Sequence, residues 1–476
     1  GSTDSGRGDA AVTKVRIQIL LFATFALLSC ASIDFDYPRE ASVAMVDTEN
    51  TSLGRSFEGA IAPLKEAHSG FYPLLDGIDA LTARLLLAKR AERSIDTQYY
   101  LLKSDVTGYA FVDELLRAAD RGVRVRFLLD DVFTTGYDAG MAALDSHPNF
   151  EVRIFNPFNR GALGAAYAGV TNLSRVNRRM HTKSFTVDNQ VTIVGGRNIA
   201  DEYFGANEDE KFGDLDVVGI GPVAQDVSTM FDTFWNHSTA LPVSAFARMP
   251  DDPEVELQKL RERLLKSREN VLETPYAEAV RANATEFLAE GPEAFEYAPY
   301  ELVYDTPDKG IKSDAGATQK ITTALRESLM AARDEVILLS PYFVPRKEGV
   351  ALFAELAARG VRVVIVTNSL AANNHFAVHG GYMASRKPLI QSGVELYEVR
   401  PDAEVPGSEV LAASGAKATM HTKAYLVDRQ HMFIGSFNFD PRSANLNTES
   451  GVLIESSRMG GHFGENFDLK IDRQTW

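Results

Sequence analysis

The feature that most constrains this chain is that its second half repeats its first. Arg121-Gly122-Val123-Arg124-Val125 returns as Arg359-Gly360-Val361-Arg362-Val363, 238 residues on, and residues 180–188 (MHTKSFTVD) return as 420–428 (MHTKAYLVD), 240 residues on. Two offsets that agree so closely indicate a duplicated lobe. Each copy runs in the same order: an apolar strand (residues 94–100; 336–342), a helix-period stretch (109–119; 349–358), a glycine at the helix end, then a second apolar strand. That is a βαβ unit occurring twice. The fold expected is α/β, two duplicated lobes each with a mixed β-sheet flanked by helices, sharing one active site. The divisions that follow are an N-terminal segment (1–30), a linker (31–60), a first lobe (61–240), a helical connector (241–300) and a second lobe (301–476). The connector opens on Pro250-Asp251-Asp252-Pro253 and is read as mostly helical up to residue 300, with Gly291-Pro292 as a break.

Lys14 and Arg16 precede an apolar run over residues 17–28, interrupted only by Gln18 and Thr24, which has the length of an export signal and is short for a spanning helix. It ends in Leu27-Leu28-Ser29-Cys30, which resembles a bacterial lipobox, so Cys30 is the expected lipid-anchor residue. An uncleaved N-terminal anchor helix is the alternative, and either places the chain at a membrane of the bacterial envelope. Cys30 is also the only cysteine, which excludes an intrachain disulfide and a cysteine-rich zinc site. The net charge of −16 repels polyphosphate backbones, so nucleic acid is not an expected partner. Residues 158–170, apolar without a clear period, read as a buried loop or short helix, with a lipid-contacting lip as the alternative.

Each lobe carries His, Lys two later, Asp seven later, Gly fourteen later and Asn seventeen later: His181, Lys183, Asp188, Gly195, Asn198 and His421, Lys423, Asp428, Gly435, Asn438. On a strand, residues i and i+2 share a face, so each His-Lys pair converges on one point, and the two lobes together offer two imidazoles and two ammoniums. A phosphodiester needs its non-bridging oxygens neutralised, a nucleophile, and an acid for the leaving oxygen. Two Lys supply the first and two His the others, with Asn198 and Asn438 as neutral donors. Asp188 and Asp428 fall an odd step past their Lys and are expected to be structural ion-pair partners. An imidazole at work needs an acceptor to fix its tautomer. Asp214-Leu215-Asp216 and Asn447-Thr448-Glu449 occupy comparable places, and Asp216 and Glu449 are the expected acceptors.

The paired HxKxxxxD and GxxN motifs identify the chain as resembling the phospholipase D superfamily over residues 81–454. Gly195-Gly196-Arg197-Asn198 followed by Asp201-Glu202-Tyr203-Phe204, and Asp440-Pro441-Arg442-Ser443 with Asn447 and Glu449, resemble bacterial cardiolipin synthases. The resemblance implies a phosphohistidine intermediate, no metal or other cofactor, and the first-lobe His as nucleophile. It also implies phospholipid substrates, phosphatidylglycerol with a second lipid such as phosphatidylethanolamine. Water as acceptor gives phosphatidic acid instead, and the expectation favours transfer. Arg442 is expected to add positive charge at the cleft, and His375, His379, Tyr382 and Arg386 to line an acceptor pocket. A phosphodiesterase acting on other substrates and a non-catalytic envelope lipoprotein are the competing classes. Few residues follow Ser450, where the family often has a further strand, so a truncated end is also expected.

Overall fold

The computed structural model describes residues 33–64, 68–160, 175, 177–289, 291–310, 320–408, 410 and 415–476. The export segment, Cys30 and most of the 158–170 stretch lie outside them. The first lobe supplies β1 (His68–Leu74), β2 (Ser94–Tyr99), β3 (Arg124–Asp130), β4 (Phe150–Phe155), β5 (Ser184–Val187), β6 (Val191–Gly195), β7 (Glu210–Gly213), β8 (Asp216–Ile220) and β9 (Ala240–Pro242). The second supplies β10 (Glu296–Tyr304), β11 (Glu335–Leu339), β12 (Arg362–Asn368), β13 (Glu395–Val399), β14 (Lys417–Met420), β15 (Ala424–Val427), β16 (His431–Gly435) and β17 (Ser450–Glu455).

Fifteen of these strands form one sheet, ordered β13-β12-β11-β15-β16-β17-β10-β1-β8-β6-β5-β2-β3-β4-β9. Outward from the antiparallel β1–β10 seam, the order β8-β6-β5-β2-β3-β4 mirrors β17-β16-β15-β11-β12-β13, so the repeat in sequence is a repeat in topology. β14 and β7 form a separate two-stranded ladder that joins the lobes.

The βαβ units form as the pattern requires. β2 and β3 are parallel, as are β11 and β12. The intervening helices, Val106–Asp120 and Arg346–Ala358, end before Gly122 (φ 94°) and Gly360 (φ 89°), where the chain takes the left-handed conformation that glycine adopts without strain. Asp105 caps the first by accepting from Gly108 N–H at 2.9 Å. Phe111 and Leu115 of that helix and Val125 and Phe127 beneath it are fully buried, so Phe111→Ala should cost about 3–5 kcal/mol.

Among the described residues Asp188 and Asp428 meet backbone amides and have no ion-pair partner. Asp188 accepts the backbone N–H groups of Glu92 (3.0 Å), Arg93 (2.7 Å) and Ser94 (2.9 Å), and Asp428 those of Arg333 (2.9 Å), Asp334 (2.8 Å) and Glu335 (2.9 Å). Each sits at a left-handed turn after its motif strand (φ 52° and 51°) and ties that hairpin to the start of β2 or β11. The amide groups at the head of a strand are unsatisfied donors, and a carboxylate meets them without any cation.

The connector holds helices Pro253–Val271 and Pro275–Ala289 but turns extended at β10, where the reading as helix fails. β10 lies between β17 and β1, so both its edges are paired, a tertiary reward that local propensity does not register. Among the described residues no helix is long and apolar enough to cross a membrane.

Candidate active site

The His-x-Lys segments sit in irregular chain just ahead of β5 and β15, not on the strands themselves. Lys183 therefore turns back, its Nζ donating to the carbonyl of His181 at 2.6 Å, and Lys423 does the same to His421. Each loop is held twice. From its own lobe, Asp130 at the end of β3 accepts Met180 N–H (2.8 Å), and Asn368 at the end of β12 accepts Met420 N–H (2.9 Å) and donates to its carbonyl (2.8 Å). From the opposite lobe, Thr448 accepts His181 N–H at 2.9 Å and Gly213 accepts His421 N–H at 2.7 Å.

The acceptors behind the imidazoles also cross between lobes. His181 Nδ1 lies 2.8 Å from Glu449 Oε2, and His421 Nδ1 lies 2.5 Å from Asp214 Oδ2. Glu449 is fixed further by Ser436 Oγ (2.5 Å) and Ser443 Oγ (2.7 Å). Asp216, the residue expected beside the second imidazole, is instead ion-paired with Arg84 at 2.8 Å and Arg197 at 3.4 Å. Sheet register explains the displacement. Gly195 faces Asp216 and Gly435 faces Gly451, so the residue two places earlier is Asp214 in one lobe and Glu449 in the other. Matching the two tripeptides end to end misses this by two residues. Gly196 is part of the same geometry, because a Cβ there would stand 2.2 Å from Asp214 Oδ1, whereas Ser436 at the matching position donates to Glu449.

Burial governs the charges. It lowers Lys183 to about 7, with the neighbouring Lys423 pushing the same way, and lowers Lys423 to about 8. His181 lies below its ordinary value through burial, with Lys183 and Lys423 adding to the effect against Glu449. His421 falls to about 3 through burial and then Lys423, whose Nζ is 2.7 Å from its Nδ1. Burial alone would raise Asp214 and Glu449. Lys423 and His421 hold Asp214 below the ordinary carboxylate value, and His181 and Lys183 do so for Glu449. Each lysine acts on the other lobe's imidazole, so the four groups share one field. Two carboxylates held ionised and two ammoniums lowered toward neutral pH face one another in it.

Aromatic rings frame the imidazoles. Tyr100 packs edge-on to His181 with centroids 4.9 Å apart, and Phe212 stacks on His421 at 5.7 Å. Tyr203, whose hydroxyl accepts from Asn198 Nδ2 at 3.0 Å, lies 3.5 Å from His421 Nε2. Asn438 is buried with its N–H on Ser443 Oγ at 3.2 Å, and the Oδ1 atoms of both asparagines have no partner among the described residues. Arg442 Nη2 bonds Asn177 O at 2.8 Å, across the lobes.

The four residues expected to line an acceptor pocket separate. His375 packs on Tyr342 at 5.4 Å, and Tyr342 lies 6.3 Å from His421. His379 is buried against Tyr382, while Tyr382 Oη and Arg386 Nη2 both meet Glu398 at 3.0 Å, which pins their helix to β13. Asp214 and Tyr203 were quoted from sequence only within longer motifs, and Tyr100, Asp130 and Asn368 were not singled out. The last two hold matching places at the ends of the repeated strands, which was a usable signal.

Two lobes of one α/β sheet that bring paired His and Lys together, each His backed by the other lobe's carboxylate, define a phospholipase D-like enzyme. Residues 85–235 and 325–470 match the family described as "Cardiolipin synthase, PLD-like domain", and the chain belongs to that family of phosphatidyltransferases. It is 40% identical over 431 residues to cardiolipin synthase C of Escherichia coli (strain K12), covering 87% of this chain and 90% of that one. An uncharacterized protein of Helicobacter pylori (strain J99) is 32% identical over 452 residues, covering 93% of this chain and 87% of its own length. The fold is similar to that of phosphatidylserine synthase from Haemophilus influenzae Rd KW20, with a TM-score of 0.58 at 16% identity, covering 90% of this chain and 92% of that one.

Proposed function

We propose that the chain makes cardiolipin by two-step phosphatidyl transfer. His181 Nε2 attacks the phosphorus of a donor phospholipid while Glu449 holds its Nδ1–H. The bond from phosphorus to the headgroup oxygen breaks, and His421 delivers a proton to that oxygen. A hydroxyl of phosphatidylglycerol then gives its proton to His421 and attacks phosphorus, and the P–N bond to His181 breaks. The observation that carries this reading is the crossed pair of His–carboxylate contacts around two buried lysines. Burial and then Lys423 keep His421 neutral, and a phosphate anion beside it favours the protonated imidazole that the first step uses. Phosphatidylglycerol or phosphatidylethanolamine serves as donor. The chain works at the bacterial envelope, held by acylation of Cys30 or by the apolar N-terminal segment, where donor and acceptor share a leaflet and water is scarce.

The test is purified protein in mixed vesicles of the two lipids, with products identified by mass spectrometry. Cardiolipin should accumulate, and phosphatidic acid without cardiolipin would replace this reading with hydrolysis. With a slow phosphodiester, His421→Ala should leave a phosphoryl adduct on His181, and an adduct elsewhere rejects the order of steps.

A further inference from the structure

Helix Phe376–Gln391 follows β12 as helix Asp138–Asp145 follows β3, and it presents two unlike faces. Inward, His379, Tyr382, Ser385 and Leu389 are buried. Outward, Phe376, Met383 and Ile390 are 72%, 57% and 57% exposed, and Leu370 in the loop before the helix is 53% exposed. Their spacing of seven residues keeps the three on one stripe of the helix. Residues 369–392 include Arg386 and Lys387 and contain no Asp or Glu, in a chain with 65 acids and a net charge of −16.

The stripe adjoins the site. Its neighbour His375 packs on Tyr342, and Tyr342 reaches His421. On the first lobe, Phe133, 48% exposed, packs 5.5 Å from Tyr100, and Tyr100 packs on His181. Each imidazole is thus two ring contacts from an aromatic side chain at the surface.

We infer that the outer face of helix Phe376–Gln391, together with Leu370, seats in the interfacial layer of an anionic phospholipid bilayer and turns the mouth of the site toward it. The inference rests on the phospholipid reading above. Charge selects the occupant. Arg386 is already paired with Glu398, so Lys387 gives this acid-free apolar helix its positive charge, which on an acidic body complements an anionic lipid surface, whereas a second copy docked by a twofold would bring two like-charged faces together.

The experiment uses the whole chain and vesicles of phosphatidylcholine with or without phosphatidylglycerol. Phe376→Glu combined with Met383→Glu should weaken binding to the anionic vesicles about tenfold or more. Turnover of a short-chain phosphodiester below its micellar concentration should be unchanged, which controls for folding. Because the N-terminal segment can tether the chain independently, a Phe376→Trp variant reports insertion directly, and its added emission should be quenched by brominated lipid. Parental vesicle binding by the Glu pair, or emission untouched by brominated lipid, overturns the inference. So does a parental dimer that the Glu pair splits. If the parent makes no cardiolipin but the Glu pair still loses vesicles, the functional reading fails and the docking face stands. Cardiolipin made equally well from vesicles by parent and Glu pair removes the docking face alone.

Discussion

The two lobes share a topology and a motif but differ in what surrounds them. In the first, helix Pro253–Val271 of the connector lies across helices Val106–Asp120 and Asp138–Asp145, and Pro275–Ala289 packs on Gly77–Arg90. In the second, the counterpart helix Phe376–Gln391 leaves its outer apolar residues in the open. The interiors differ too. Where the first lobe buries Asp216 between Arg84 and Arg197, the second has Gly451 facing Gly435, and Phe437 stands at the place of Arg197. The same sheet register therefore tolerates an ionic cluster or none, which separates the parts the chemistry needs in both copies from the parts that belong to one lobe's stability or docking.

The sharpest way to break this comparison is to remove the crossed acids one at a time. Glu449→Gln and Asp214→Asn should each lower kcat by about 10²–10⁴, because each leaves an imidazole without the acceptor that sets its tautomer. Asp216→Asn should leave kcat within about tenfold but destabilise the fold by about 3–5 kcal/mol, since it strands two buried guanidinium groups. Initial rates with denaturant unfolding separate the outcomes. Loss of kcat in a fully stable Asp216→Asn would return that residue to the active site.

The same contrast shows how much could be read from sequence. The duplicated βαβ order followed from residue spacing, because strand and helix periods are local properties that a repeat confirms against itself, whereas the His-Lys pairs lie in irregular chain and the strand period used to align them did not apply. The acid behind His421 did not, because choosing Asp214 over Asp216 depends on which residue β6 opposes in β8, a non-local register. β10 was missed for the same reason, its extended form being fixed by strands from both lobes. The role of Asp188 and Asp428 was misread because an odd step along a strand shows only that the side chain leaves the face. It does not show that the donors waiting there are amides.

The lysines allow a subtler test of lobe against lobe. Lys183 lies at about 7 and Lys423 at about 8, both lowered chiefly by burial. An anionic phosphodiester prefers both as ammonium, and raising the pH through these values removes first one and then the other. Binding then requires proton uptake. Affinity for a non-titrating phosphodiester analogue should be highest below pH 7 and should weaken above it, approaching a tenfold loss per pH unit for each proton taken up. Titration by calorimetry in two buffers of different ionisation enthalpy would read those protons. A dissociation constant flat from about pH 6 to 9 would show that both ammoniums persist without substrate.

The smallest expected effect concerns Tyr203 and Ser443, which hold matching places 240 residues apart but serve different histidines by different routes. Ser443 donates to Glu449 and so stands behind His181, whereas the Tyr203 hydroxyl stands in front of His421, 3.5 Å from the Nε2 that handles protons in the proposed scheme. Burial pushes the Tyr203 phenol well above its ordinary value, so it remains a neutral hydroxyl throughout the working pH range. A neutral hydrogen bond is worth about 0.5–1.5 kcal/mol net, so Tyr203→Phe should lower kcat only about two- to tenfold, with KM little changed. Ser443→Ala should act through Glu449 and shift the pH at which kcat falls on the acid side, because a carboxylate that loses a donor is protonated more readily. If Tyr203→Phe instead moves that acid limb and Ser443→Ala changes only the height of the profile, the two residues have been assigned to the wrong histidines.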